Sequence, residues 1–327
     1  MLTFRVLLLG FGGSPTMLVN HVLSSEARSG IFDAIFAYFE RFKPPGAELA
    51  VSTAPLAGAD LHHFHRPHLE TDLGDRAVVT VHHDPRDPDP WVLWDRFAPR
   101  YAEARHVVCL NSGQRRFLEE RGLTRSSVIP HGYNADVLTP KEAGLEDGPI
   151  TLGVVSKFYE RRVKGEALLM EIARRLHPDS FRWLLVGENR LVTAEALSQL
   201  GYEVRLFDHL PYRLFGRLYH EMDFLLVCST FEGGPANIPE ALGTATPVIS
   251  TRVGFAPDLV EDEESGLLLS GDPDRDAKRI WRLADVDDPL RATLAAGARR
   301  AREETPTWRE VVTRHFELYE ALLGGTR

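Results

Sequence analysis

Short apolar, β-prone runs recur along the whole chain, each separated from the next by a stretch with helical spacing. That alternation builds βαβ units, and hence an α/β protein whose parallel sheets are covered by helices on both faces. In the first half the runs predict strands near 4–10, 48–53, 77–82, 106–110 and 127–130, and helices near 15–28, 92–104 and 113–121. From Asn134 to Pro149 the apolar period lapses, and Pro140, Gly144, Gly148 and several acids give the segment a linker composition. The pattern restarts with ITLGVVS at 150–156 and continues through FRWLLVG at 181–187, VRLF at 204–207, FLLVC at 224–228, TPVIST at 246–251 and GLLLS at 266–270. Behind Pro306, Thr307 and Glu310 predict a capping box that opens a last helix striped by Val311, Val312, Phe316 and Tyr319.

A chain of 327 residues exceeds the usual single domain, so two α/β domains sharing a cleft are expected at 1–142 and 143–305, with 306–327 as a terminal helix. The net charge of −9 disfavours nucleic acid or anionic lipid as the main partner. The opening MLTFRVLLLG is apolar, but Gly10, Gly12 and Gly13 interrupt it too early for a signal peptide or a transmembrane segment. A cytoplasmic protein is expected. A peripheral place on the inner membrane face stays open, although no basic amphipathic helix supports it. Cys109 and Cys228 each end an apolar strand-like run, where a thiol packs as a small hydrophobe.

The most informative stretch is STFEGGPANIPEALGTATPVIST, Ser229 to Thr251, which follows a predicted strand and opens a helix. Glu232 and Glu240 lie eight residues apart, so on a loop-to-helix turn they can reach different parts of one ligand. Between them Gly233 and Gly234 allow close backbone approach, and the free amides of a helix start suit a phosphate. A glycine turn with two solvated acids has the same spacing, and spacing alone does not choose between the two.

This stretch resembles the E-x7-E region of the retaining glycosyltransferase family 4. Further segments resemble that family in the same order: TVH at Thr80 to His82, VIPHGYN at Val128 to Asn134, LVGEN at Leu185 to Asn189 and RVGFAPDLVEDEESGLLL at Arg252 to Leu269. The resemblance implies a GT-B fold, two facing Rossmann-like domains with the terminal helix packing back toward the first. The first would be the acceptor side and the second would bind a nucleotide sugar. By position, Glu232 would hydrogen-bond the donor sugar and Glu240 the ribose, while backbone around Gly234 to Asn237 would face sugar or diphosphate. Pro235 has no amide hydrogen, so any donor the family uses there is lost. In SKFYERRVKG, Ser156 to Gly165, Lys164 matches the family's diphosphate lysine and Lys157 stands where an arginine is expected. Arg161 and Arg162 compete with Lys157 for that second role.

In the first domain the glycines at 10, 12 and 13 fail as a G-x-G-x-x-G fingerprint, because the third position is Pro15, and NAD is disfavoured. The resemblance places Gly12 and Gly13 over the diphosphate and His82 beside the sugar; adjacent His83 leaves that choice open. His62, His63, His65 and His68 are dense enough to suggest a metal, but no nearby Cys completes a set, and no metal site is expected. Asp87-Pro88-Asp89, Asp272-Pro273-Asp274 and Asp285-Val286-Asp287 imitate a metal-binding D-x-D without directly following a hydrophobic strand. Trp91, Trp94 and Phe97 suit an acceptor pocket or a helix core face equally.

The function implied is retaining transfer of a sugar from a nucleotide-diphosphate sugar, UDP by default, to an acceptor hydroxyl, without metal or other cofactor. The acceptor, whether small molecule, glycan or lipid-linked, is not legible. A GT-B epimerase or hydrolase, or a catalytically silent sugar-nucleotide-binding subunit, would share the same cradle.

Overall fold

The computed structural model describes residues 17–141, 148–158 and 162–324. The strand expected near 4–10, the glycines at 10, 12 and 13, and Arg161 fall outside them, as does the side chain of Arg162.

The described part of the first half forms strands β1 (Met17–Val22), β2 (Ala47–Ser52), β3 (Leu61–Phe64), β4 (Ala77–Val81), β5 (His106–Cys109) and β6 (Ser126–Val128), with helices α1 (Gly30–Phe42), α2 (Trp94–Glu103) and α3 (Ser112–Glu119). All the strands pair in parallel, in the order β2-β1-β3-β4-β5-β6. The helix expected near 15–28 is instead β1 and a single 3-10 turn, Ser25–Ala27. A short apolar run fits either period, and here the neighbouring strands decide. Asn20, fully buried, donates to Ser52 Oγ at 2.8 Å and accepts from the Leu56 amide at 2.9 Å, bonds available only within the sheet. The helix of this region is α1, which buries Phe32, Ile35 and Phe39 along one face.

The second half forms β7 (Ile150–Val155), α4 (Glu166–Ala173), β8 (Phe181–Val186), α5 (Leu191–Gln199), β9 (Val204–Phe207), α6 (Phe215–His220) and β10 (Phe224–Val227). It continues through α7 (Asn237–Gly243), β11 (Val248–Thr251), α8 (Ala256–Leu259), β12 (Gly266–Leu269), α9 (Pro273–Trp281) and α10 (Leu290–Glu304). Its parallel sheet has the order β9-β8-β7-β10-β11-β12, the doubly wound arrangement of a dinucleotide-binding domain. Burial of Trp183, Phe181, Phe224 and Leu226 on one face, and of Leu184, Leu225 and Val248 on the other, shows a sheet covered on both sides.

The last helix, α11 (Trp308–Gly324), returns to the first domain. The Thr307 and Glu310 capping box forms, with Thr307 N donating to Glu310 Oε2 at 2.7 Å and Glu310 N to Thr307 Oγ1 at 3.3 Å. Trp308, Val311, Val312, Phe316 and Tyr319 then join the core containing Phe32, Ile35 and Phe39. The chain therefore crosses between the sheets twice, and the two crossings are bonded to each other: Tyr133 N donates to Pro306 O at 3.1 Å and Trp308 N to Tyr133 O at 3.0 Å.

Candidate active site

In open parallel sheets ligands bind beyond the carboxyl ends of the strands, where the strand order reverses. In the second sheet that point lies between β7 and β10. One loop follows β7 and another, 228–236, follows β10, and their described residues are locked together. Thr230 N donates to Val163 O at 2.8 Å. Gly165, at φ +72°, sits so close to Cys228 that a Cβ there would lie 1.7 Å from the Cys228 carbonyl oxygen, so only glycine fits.

That lock sets Lys164 against Glu232. Lys164 Nζ lies 2.5 Å from Glu232 Oε1, both side chains being mostly shielded, and Ser229 Oγ donates to the same oxygen at 2.9 Å. Lys157 is exposed and paired with Glu188 at 2.8 Å, so it stands at the rim. Behind it the sequence reading missed Arg190, almost fully buried, whose guanidinium bonds to Ser156 O and Ser156 Oγ and reaches Glu166 Oε1 at 3.1 Å. It ties the loop after β7 to the start of α4. A charged residue directly after the LVGEN turn was the only signal of it.

Deeper on the same side lies Glu240, in the first turn of α7. Tyr212 OH donates to its Oε1 at 3.0 Å and Tyr219 OH to its Oε2 at 2.9 Å. Burial nevertheless pushes its carboxyl up from the ordinary 4.5 to about 7, against the opposing pull of the two hydroxyls. The same burial, with the Glu240 charge beside them, raises both tyrosines. Asn237 donates from Nδ2 to Val155 O at 2.9 Å, while its Oδ1 is buried without a partner, an acceptor a ligand could fill. The tyrosines were also missed, because PYRLFGRLYH reads equally as a helix core face.

The first domain forms the opposite wall. A Cβ on Gly233 would lie 2.4 Å from the His82 carbonyl oxygen, and one on Gly234 would lie 2.5 Å from the Phe255 ring, so the glycine pair is where the domains close. Asn111 Nδ2 donates to Gly233 O at 2.7 Å, and Ser112 N donates across the cleft to Asp258 Oδ2 at 2.7 Å. A cavity of about 160 Å³ opens beside this contact, lined from both domains by Asp84, Arg86, Arg116, Glu232, Arg252 and Asp258 among others. His82 is half-buried, its ring against Phe32 and His131, whereas His83 turns inward against Phe97 with both ring nitrogens buried and unpartnered. Of the two, His82 is the more exposed, and neither ring lines that cavity.

His62 and His68 stay apart from a buried group of His21, His63 and His65, whose candidate ligand atoms lie within 4.8 Å of one another. The His63 nitrogens, however, meet Tyr319 OH at 2.5 Å and Thr80 Oγ1 at 2.7 Å, and His21 Nδ1 meets His65 Nε2 at 2.9 Å. Nitrogens aimed at one another in pairs do not converge on one ion. Each aspartate triplet is local turn chemistry: Asp87 accepts from Asp89 N, Asp272 caps α9, and Asp285 accepts from Asp287 N. Phe97 is core, Trp94 packs against Phe117, and Trp91 is exposed under Arg96. Both cysteines are buried, and burial pushes the Cys109 thiol up to about 12.

Residues 149–285 match the family model described as Glycosyl transferases group 1. The chain is 26% identical over 318 residues to a D-inositol 3-phosphate glycosyltransferase of Stackebrandtia nassauensis, covering 88% of this chain and 69% of that protein. It is 31% identical over 193 residues to the Corynebacterium diphtheriae protein of the same description, covering 53% of this chain and 45% of the relative. The chain thus spans about half the length of several curated relatives it matches. Among solved structures it is similar to a sucrose-phosphate synthase from Thermosynechococcus elongatus, with a TM-score of 0.77 at 17% identity and coverage of 95% and 100%. It is also similar to Anabaena HepE in complex with UDP and glucose, with a TM-score of 0.71 at 16% identity and coverage of 93% and 100%. At those identities the likeness is one of fold. Among the described residues no helix is long and apolar enough to cross a membrane.

Proposed function

Because the chain has the GT-B fold and carries a group 1 glycosyl transferase domain over residues 149–285, we propose that it moves a sugar from a nucleotide-diphosphate sugar to an acceptor hydroxyl with retained anomeric configuration. The observation that carries this reading is the Lys164–Glu232 pair at the strand-order reversal, together with the buried Glu240 carboxyl at the start of α7 and an interdomain cavity lined in part by Glu232. The nucleoside lies against α7, its ribose hydroxyls on Glu240 and its diphosphate on Lys164. The sugar lies at Glu232 and Gly233, under His82. Lys157 joins Lys164 from the rim.

Charge grows on the leaving diphosphate in the transition state, so a lysine already fixed there stabilises it without reorganisation. The acceptor hydroxyl enters from the cavity between the domains, and the departing phosphate oxygen takes its proton on the same face. Positioning and electrostatics then supply most of the rate. With two lysines in the diphosphate role, no divalent ion is needed. UDP is the preferred nucleotide, a choice supported by the UDP in the HepE structure.

The test is incubation of the full chain with a panel of nucleotide sugars and acceptor alcohols in excess EDTA, with nucleotide release and product anomeric configuration followed by NMR. Retained configuration with EDTA-resistant turnover is expected. Inverted product would overturn retention, and loss of turnover restored by magnesium or manganese would overturn metal independence. Release of nucleotide at the same rate with and without acceptor would make the chain a hydrolase.

A further inference from the structure

Three imidazoles run in a row from the interior of the first domain to the cleft. His21 is in β1, His65 follows β3 and His82 follows β4, at the carboxyl ends of adjacent strands. His21 Nδ1 lies 2.9 Å from His65 Nε2, and His65 Nδ1 lies 2.9 Å from His82 Nε2. In both pairs the ring centroids are 5.2 Å apart. A centroid separation so much longer than the N···N distance means that the rings meet end to end, nitrogen to nitrogen, and each contact is an in-line hydrogen bond. Burial holds all three rings neutral, with His21 brought down to about 3 and His65 and His82 well below their ordinary range.

A neutral imidazole has one N–H and one bare nitrogen, so a row of them has a direction. In one direction His82 donates to His65 and His65 to His21, which leaves a proton on His21 Nε2. That nitrogen is buried without a partner, beside Phe36 and Phe39, and an orphaned N–H in such a place is rare and costly. In the other direction His21 donates to His65 and His65 to His82. The orphan is then a bare lone pair, and the free proton moves to His82 Nδ1, which makes no hydrogen bond among the described residues and is not sealed by them from solvent. His63, stacked on His65 at 4.6 Å, does not interrupt the row, because its own nitrogens are held by Tyr319 and Thr80.

We propose that the His21–His65–His82 row fixes the tautomer of His82 so that its Nδ1–H is presented as a hydrogen-bond donor to the sugar of the nucleotide-sugar substrate, which makes His21 and His65 positioning residues for the transfer. This rests on the reading of the cleft as a glycosyl-donor site. A donor whose proton is preset by bonds inside the fold needs no tautomer exchange as the sugar approaches its transition state.

The experiment is long-range proton–nitrogen NMR on the full chain labelled with ¹⁵N-histidine, which separates protonated from bare ring nitrogens, together with steady-state kinetics. In the wild type His82 is expected to carry its proton on Nδ1. His21→Phe removes the fixed end of the row, so His82 should show both tautomers and kcat should fall about tenfold with donor KM little changed, the worth of one hydrogen bond realised in the transition state. His65→Gln, whose amide can accept from His21 and donate to His82, should restore both the tautomer and most of kcat, whereas His65→Leu should not. A wild-type His82 protonated on Nε2 would overturn the proposal. So would equal kcat and equal tautomers for His65→Gln and His65→Leu, a comparison that stands even where His21→Phe does not fold. The spectrum needs no substrate, so a chain with Nδ1–H in place that transfers no sugar would sink the functional reading and leave the row standing.

Discussion

Replacing Glu240 with glutamine removes a carboxyl group that burial makes hard to ionise, and the consequence for stability has a definite sign. Folded, the group titrates near 7; unfolded, near 4.5. Below the lower value both states are protonated and ionisation costs nothing. As pH rises between the two values only the unfolded chain gives up the proton, so stability falls, and above 7 the loss is complete. At about 1.4 kcal/mol per pKa unit the ceiling is about 3.5 kcal/mol, reduced to the extent that solvent reaches the partly shielded carboxylate. Glutamine does not titrate, yet its carbonyl still accepts from one tyrosine and its amide can donate to the other. Urea unfolding of both proteins from about pH 5 to about pH 8 should therefore show Glu240→Gln gaining on the wild type by up to about 3 kcal/mol across the range, other titrations cancelling in the difference. Binding should move the opposite way: loss of a charged hydrogen bond to the ribose weakens free UDP by about 1.5–3 kcal/mol in calorimetry. Ribose hydroxyls donating to the carboxylate would also lower its pKa, so UDP should expel a proton from the wild type near neutral pH. A stability difference that stays flat across that range would refute the buried-carboxyl reasoning, and unchanged UDP affinity would remove Glu240 from the nucleoside site.

The other side chains give sharper kinetic contrasts. Lys164→Ala should lower kcat about a hundredfold or more, as for loss of one preorganised electrostatic donor; near-normal kcat with a raised KM would reassign it to uniform binding. Glu232→Gln should lower kcat while leaving free UDP affinity unchanged, and an equal loss of UDP affinity to that of Glu240→Gln would refute the division of roles. Gly233→Ala drives a Cβ to 2.4 Å from the His82 carbonyl oxygen, where backbone cannot yield cheaply, so a lower melting temperature and a slower enzyme are expected, on the order of 1–3 kcal/mol for such overpacking. Wild-type melting and turnover would show that the domains do not close there.

The second domain was legible almost strand by strand because its runs, such as Ile150–Val155 and Phe224–Val227, are buried on both faces and hence continuously apolar. The first domain was less so. β1 carries Asn20 and His21 at its centre, and β3 is Leu-His-His-Phe, so their polarity hides strands whose polar groups are satisfied by neighbours far off in sequence. The same displacement explains the histidines. His62, His63, His65 and His68 look like a cluster along the chain, but alternation along β3 sends His62 toward Asn20 and His63 toward Tyr319, and the ring that completes the row, His21, lies forty-odd residues earlier. Glu232 and Glu240 stood out because a turn and a helix start fix their spacing locally, and Lys164 through the resemblance of the segment around it. Tyr212, Tyr219 and Arg190 were not, since each acts through a contact made only when separate loops meet.

The return of α11 to the first domain has a consequence for how the molecule is made. Phe32, Ile35 and Phe39 emerge early in synthesis, but their cover, Val311, Val312, Phe316 and Tyr319, emerges almost three hundred residues later. Until residues 308–324 leave the ribosome, α1 has an apolar face without its native neighbour, while every strand of the second sheet has already been delivered. The usual order of domain-by-domain folding from the amino end is thereby inverted, and the half synthesised second is the half equipped to consolidate first. Nascent chains that stop short of Trp308 carry an exposed aromatic stripe that a chaperone, or another nascent copy, can occupy in its place.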